Sequence, residues 1–432
     1  MNDDIVTHAP FLLRPDATRV VIRPFVAIDD DPAFATGHRT RAQRIADRVL
    51  ALGPAEVAGD LAAIVANLGT QHREVAAVLL RRFHAVNGVS ITVPAVSDDQ
   101  AHLIGAYFSE EYAFEAAALF NPAIVPAPDQ SGVPSGALRF VLSLRAVGEG
   151  HISSITFRTG MVAADGTITV DPASTHAVSP RIKPIPGGAP DDPGVRLFCE
   201  ESRDLSETVI FPITDRQRHG IEDLRLVRFV DDDGNVTYLG TYTAFSGSDV
   251  REELLRTTDF RTIDLTGLGG NVPRTKGMAL FPRLLSGRYA MLGRQDHENL
   301  WLLTSDDLYR WDGGVRLLSP RWPWEFVQIG NCGSPIEIDE GWLVITHGVG
   351  AVRNYCIGTC LLDKHDPSKV LARSKVPLIR PRASERFGYV PNVVYSCGAL
   401  LHGRLLVLPY AIADNVTTFA TVGIDALLAA MA

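Results

Sequence analysis

Hydrophobic and polar positions fall into two successive textures. From about Gly37 to Phe120 apolar residues recur at three- and four-residue spacing, the signature of amphipathic helices. HRTRAQRIADRVLALG predicts a first helix stopping at Gly53. PAEVAGDLAAIVANLG predicts a second, with Pro54 in its first turn and Gly69 at its C-terminal end. HREVAAVLLRRFHAVNG predicts a third. A fourth opens at Ser97, where Gln100 completes a capping-box spacing, and runs on through HLIGAYFSEEYAFEAAALF. Ahead of these, RVVIRPFVAI reads as a strand.

From Asn121 onward short apolar runs alternate with turn signals. RFVLSLRAV, GHISSITFRTG, DGTITV, RLVRFVDDDGNVTYLGTYTAF, RYAMLGR, GWLVITHGV, YCIGTCLLD and RLLVLPYAI all read as strands. The turns in AADGTI and DDDGNV are hairpin signals. Strands without intervening helices predict an antiparallel all-β body: a sandwich, a barrel or, best suited to this length, a propeller. No WD or kelch repeat stands out. RIKPIPGGAPDDPG reads as a long surface loop, and VGIDALLAAMA as a short closing helix.

Composition narrows the function classes. The 432 residues carry a formal net charge of -9, which disfavours a nucleic-acid partner. No apolar run reaches the roughly 20 residues of a membrane span, and MNDDIVTHAPF lacks the pattern of a secretory signal. The five cysteines, Cys199, Cys332, Cys356, Cys360 and Cys397, are odd in number and scattered, which suits a reducing compartment. Cytoplasmic location, no membrane partner and no disulfide framework are the resulting expectations. No metal-ligand spacing, Walker lysine, G-x-S-x-G elbow or H-E-x-x-H motif appears, so no cofactor or metal is expected.

Polar clusters interrupt the β texture. GIEDLRLV places Glu222, Asp223 and Arg225 just ahead of a strand, where a cation tunes the ionisation of two acids. A second stretch gathers Arg274, Lys276, Arg294, Asp296, His297 and Glu298, whose basic members suit anions or sugar hydroxyls. A third holds Glu337 and His347. Each of these, taken alone, also reads as an ordinary solvated hairpin end.

Taken in order, FNPAIV, SLRAVGEGHISS, GIEDLRLV, LFPRLLSGRYAMLGRQD, TSDDLYRW, GSPIEIDEGWLVITHGVG, CLLDKHDPSKVLARS, GYVPNVVY and PYAIADN resemble glycoside hydrolase family 130. That family comprises β-mannoside phosphorylases and β-1,2-mannosidases. The resemblance spans Phe120 to the C-terminus and implies an all-β five-bladed β-propeller with an N-terminal α-helical extension. The expected domains are 1–118, mostly helical, and 119–432, the catalytic propeller. The extension reads either as a surface for self-association or a cap over the pocket, or as a domain packed for stability.

Site residues follow from the resemblance one by one. Asp223 matches the general acid of an E-D-P-R motif, with Leu224 in place of the proline. Asn121, Arg145, Glu222, Arg225, Asp296, Tyr355 and Asp414 are the expected sugar-binding residues. Lys276, Arg294 and His347 match basic residues that hold phosphate. Glu337 stands where phosphorylases commonly carry lysine. A carboxylate repels phosphate and suits activation of water, so Glu337, with Glu298 as second candidate, is the expected catalytic base of an inverting hydrolase. The expected substrate is a manno-oligosaccharide or other β-mannoside. Hydrolysis comes first. Phosphorolysis, with inorganic phosphate as co-substrate and mannose 1-phosphate as product, is the alternative. A non-catalytic glycan-binding propeller is third.

Overall fold

The computed structural model describes residues 4–29, 39–185 and 194–431. They form two compact units. One takes Thr18–Ala113 with Thr175–Ser179, and the other takes Met1–Ala17, Phe114–Ser174 and Pro180–Ala432. The sequence boundary at 118/119 falls at the start of the strand Ala118–Pro126.

The first unit is built from four helices and a two-stranded sheet. Arg41–Leu50 starts at Thr40, whose hydroxyl accepts the Gln43 N–H, and buries Ala42, Ala46 and Val49 on one face. Pro54–Leu68 begins where Glu56 accepts the Gly53 N–H at 2.8 Å. Val75–Val86 buries Val75, Leu79, Phe83 and Val86. Asp98–Tyr107 carries the expected capping box between Ser97 and Gln100. Gly105 lets this helix close on its neighbour, since a Cβ there would meet the Leu79 carbonyl at 1.9 Å.

The fourth helix does not run through to Phe120, as its composition suggested. It stops at Tyr107, and Ser109–Ala113 pairs antiparallel with Val20–Pro24. A waiting partner strand overrides helix propensity there. The run Ala118–Pro126 is then a strand buried from Ala118 to Val125, which explains its mostly apolar character.

The second unit is an all-β assembly. Its largest sheet joins two antiparallel groups through a single parallel pairing, Gly220 with Ser153. One group holds Ala118–Pro126, Leu138–Val147 and Ser153–Val162. The other holds Gly220–Val230, Val236–Phe245, Val250–Thr257 and Thr262–Gly267, extended by Gly194–Phe198 and Arg181–Ile185. A third sheet runs through Ala279–Leu280, Tyr289–Gly293, Leu300–Ser305 and Val315–Leu318. A fourth is built on Gln328–Asn331, Gly341–Val349, Tyr355–Leu362 and Val370–Arg373. The last contains Val394–Tyr395, Leu405–Ile412 and Val416–Gly423, and the chain's beginning completes it: Val6 pairs with Val422. The helix Ile424–Ala429 follows, as the sequence suggested.

RIKPIPGGAPDDPG is not wholly a loop. Arg181–Ile185 pairs with Gly194–Phe198, while residues 186–193 lie outside the described residues. The five cysteines are buried and free.

Aromatic contacts tie successive sheets together. Phe419 is fully buried between Phe11, at 5.8 Å, and Phe140, at 6.1 Å. Phe419→Ala is expected to cost about 3–5 kcal/mol, read from the chemical-denaturation midpoint and slope. A loss below about 1 kcal/mol would show that this contact is not part of the core.

Candidate functional site

Two β-bulges make the site. In Ala118–Pro126 the register passes from Phe120 opposite Arg145 to Ala123 opposite Ser143, so Asn121 and Pro122 share one partner position. In Gly220–Val230 it passes from Glu222 opposite Thr243 to Arg225 opposite Thr241, leaving Asp223 and Leu224 against one residue. A bulge bends the strand and re-aims the extra side chain. Asn121 has φ +47° and Asp223 φ +57°; Asp414, in the turn between the last two strands, has φ +48°. Asn and Asp tolerate this left-handed region better than most residues, and its concentration here marks a functional locus.

Arg145 draws the acids together. Its Nη2 donates to Glu222 Oε1 at 2.8 Å and its Nη1 to Asp223 Oδ1 at 3.3 Å. Asn121 Nδ2 donates to the same Asp223 oxygen at 2.7 Å. Lys276 Nζ stands 3.6 Å from Glu222 Oε2. The Arg145 guanidinium also lies over the Phe120 ring, 5.1 Å from its centre. Asn121 Oδ1 and Arg145 Nε are buried without a hydrogen-bond partner, a cost that ordinary packing does not explain.

These charges push the carboxyls apart in acidity. Burial raises the Asp223 pKa, but Arg145, the Asn121 amide, Arg225 and Lys276 outweigh it and hold Asp223 below the usual carboxylate range. Asp414 is pushed up to about 6, by burial first and then by the negative charge of Asp223. The site thus pairs an ionised carboxylate with one that is partly protonated near neutral pH.

A basic network lies beside these acids. Arg225 is almost fully buried and committed: Nη1 donates to Asn331 Oδ1 at 2.6 Å and Nη2 to the Tyr395 hydroxyl at 2.7 Å. Where the resemblance expects a sugar contact, the structure shows Arg225 tying Asn331 to Tyr395. Arg294 Nε donates to the Lys276 carbonyl at 3.2 Å. Arg294 Nη1 lies 3.0 Å from His347 Nε2, and His347 Nδ1 lies 3.0 Å from the Asn331 carbonyl. The compatible tautomer donates from Nδ1 and accepts at Nε2. Burial, Arg294 and Arg225 push the His347 pKa well below its ordinary value, so the ring is neutral. Both its nitrogens are engaged: it orients Arg294 rather than offering a free N–H to an anion. Tyr355 stacks on His347 at 6.0 Å, and its hydroxyl accepts from Arg353 at 2.7 Å.

Glu337 does not join the site. It pairs opposite Trp342, whereas Gly330 pairs opposite His347, five residues further along the same strand. That separation is about 16 Å. Arg283 grips Glu337 at 2.8 and 2.9 Å, and Lys364 lies at 3.8 Å. The Arg283 hydrogen bonds hold its pKa below the ordinary range. It lines a separate cavity with Ile124, Leu226, Pro282 and Gly398; Ile124 and Leu226 lie beyond Asn121 and Asp223 on the strands Ala118–Pro126 and Gly220–Val230. Asp296 is exposed and used in its own turn, where it accepts the Glu298 and Asn299 N–H groups. Glu298 is exposed beyond Arg294.

Three supporting residues escaped the sequence reading: Asn331, Tyr395 and Glu252. Asn331 ties Arg225 to the Gly277 carbonyl, which its Nδ2 reaches at 2.9 Å. Only the polar asparagine of the strand end QIGN hinted at this role. Among the described residues no group of three or more His, Cys, Asp or Glu is placed to hold a metal ion.

Removing the clamp tests this arrangement. Arg145→Met leaves Glu222 and Asp223 without their main counterion, and is expected to cost about 3–5 kcal/mol at neutral pH. Asp223 would then have a folded-state pKa above its unfolded one. The variant should regain stability as pH falls from 8 to 5, the reverse of a group whose pKa is depressed. Melting curves that track the parent across that range would refute the clamp.

A family model described as beta-1,4-mannooligosaccharide phosphorylase, that of glycoside hydrolase family 130, matches residues 196–432. A 1,2-beta-oligomannan phosphorylase of Thermoanaerobacter sp. is 35% identical over 217 residues, 49% of this chain and 71% of its own length. A beta-1,2-mannobiose phosphorylase of Listeria innocua is 33% identical over 216 residues, 48% of this chain and 58% of its own. The solved structure of the beta-1,2-mannobiose phosphorylase from Listeria innocua superimposes with a TM-score of 0.53 at 22% identity, covering 73% of this chain and 92% of that one; this likeness shows the fold. The chain belongs to glycoside hydrolase family 130 and is a carbohydrate-active enzyme.

Proposed function

We propose that the all-β unit is a five-bladed propeller and that the protein is an inverting β-mannoside phosphorylase acting on β-1,2-linked manno-oligosaccharides. Five antiparallel groups in succession, the last completed by the chain's first strand, support the propeller. The names of the Thermoanaerobacter and Listeria relatives support the linkage. The observation that carries phosphorolysis is the basic network beside Asp223. Lys276 and Arg294 are held there through shared backbone contacts, and Glu337, the expected water-activating base, is paired with Arg283 elsewhere.

In this reading Asn121, Arg145 and Asp414 hold the mannose unit, and phosphate lies against Lys276 and Arg294. A phosphate oxygen attacks C1 as the bond from C1 to the leaving oxygen breaks. That oxygen takes a proton from Asp223, directly or through a sugar hydroxyl, and Asp223 recovers one from the phosphate hydroxyl. An ionised Asp223 cannot donate. Phosphate supplies the remedy: its negative charge offsets Lys276, one of the three cations that hold Asp223 low, and raises the Asp223 pKa toward the working pH. Hydrolysis is the second reading, with Glu298, exposed and four residues after Arg294 in the chain, as the remaining candidate base.

Incubation with β-1,2-mannobiose should yield mannose 1-phosphate only when phosphate is present. Free mannose formed equally without phosphate would overturn phosphorolysis. Asp223→Asn should lower kcat by roughly 10²–10⁴-fold while leaving the fold intact. Wild-type rates in that variant would remove Asp223 from the chemistry.

A further inference from the structure

Glu252 lies in the strand Val250–Thr257 and is 1% exposed. Its Oε1 accepts the Gly277 N–H and the Thr243 hydroxyl, the latter at 3.1 Å. Its Oε2 is buried with no hydrogen-bond partner. Its backbone N–H donates to the Pro273 carbonyl at 2.8 Å, so both main chain and side chain hold the turn that carries Lys276.

Gly277 stands between this carboxylate and Arg294. Its φ is +92°, and a Cβ there would lie 2.8 Å from Arg294 Nε. On the same turn Arg294 holds the Lys276 carbonyl, and Asn331 holds the Gly277 carbonyl. The groups facing Glu252 are Arg225 from the strand Gly220–Val230, Arg294 just after the strand Tyr289–Gly293, and Thr243 and the Gly277 N–H. His347 lies beyond Arg294 and is neutral. The adjacent Glu253 accepts from Tyr242 and Gln217, at 2.6 Å each.

A buried carboxylate with an orphan oxygen is costly while charged. Burial pushes Glu252 up to about 7, against the pull of Arg225, the Gly277 N–H, Thr243 and Arg294. An anion seated on Arg294 competes with ionised Glu252 for the same cation.

We propose that Glu252 is a positioning residue for phosphate: through Gly277 it fixes Lys276 and Arg294, and it takes up a proton as the anion binds. This rests on the phosphorolytic reading above. The test is calorimetric titration of the full-length protein with inorganic phosphate and with sulfate, an anion that does not itself titrate between pH 6 and 8. Sulfate affinity of the wild type should weaken about tenfold from pH 6 to 8, as expected for binding linked to one proton on a group near 7. Most of that loss should fall above pH 7, beyond the range of Asp414. Glu252→Gln keeps an oxygen for the Gly277 N–H and should bind sulfate with nearly constant affinity. Glu252→Ala should raise the KM for phosphate at least fivefold with the KM for mannoside within twofold. A Glu252→Gln profile that follows the wild type, or a wild-type affinity that is flat with pH, would overturn the proposal even if the wild type phosphorolyses mannosides. A wild type that binds neither anion and hydrolyses mannosides would overturn the phosphorolytic reading, and this proposal with it.

Discussion

The site depends on one electrostatic constraint: neighbouring carboxyls can share a largely buried space only if cations hold them there. Two like charges 4 Å apart near a protein surface repel by about 4 kcal/mol, enough to consume much of a domain's stability. Arg145 answers this by bonding Glu222 and Asp223 at once, with Lys276 close behind. The bulges at Asn121 and Asp223 follow from the same demand, because regular pleating would send alternate side chains to opposite faces. Buried Arg225 then fixes Asn331 and Tyr395, which support the anion side.

The same charges divide the labour among the acids. Asp223 sits among cations and is held low; Asp414 and Glu252 face burial with weaker compensation and are pushed up, to about 6 and about 7. An acid held low is unsuited to donating a proton in the free enzyme. Phosphate binding changes that balance by neutralising the basic side, so co-substrate and acid become coupled without any required movement of the backbone. Neutral His347 keeps Arg294 aimed without adding another positive charge.

Much of this was legible along the chain. The alternation of short apolar runs and Asp-Gly turns announced an antiparallel β body, and the Ser97–Gln100 spacing a real helix start. Asp223, Arg145, Asn121 and Lys276 were identified through motif resemblance; the fold joins Asn121 and Arg145 to Asp223, and Lys276 to the neighbouring Glu222. Failures came where tertiary partners decide. Ser109–Ala113 looks helical until Val20–Pro24 is beside it. Glu337 follows soon after Asn331 in sequence, but it pairs with Trp342, five residues along the strand Gly341–Val349 from His347. Glu252 drew no reading at all, because nothing local in the sequence reveals that its carboxylate meets the Gly277 N–H.

The most direct test is the ionisation of Asp223 itself, followed by carbon-13 NMR of aspartate-labelled protein and assigned by comparison with Asp223→Asn. The free enzyme should titrate below the usual carboxylate range, and saturating phosphate should move that titration upward. A midpoint unchanged by phosphate, or one already near neutrality in the free enzyme, would contradict the coupling on which this account rests.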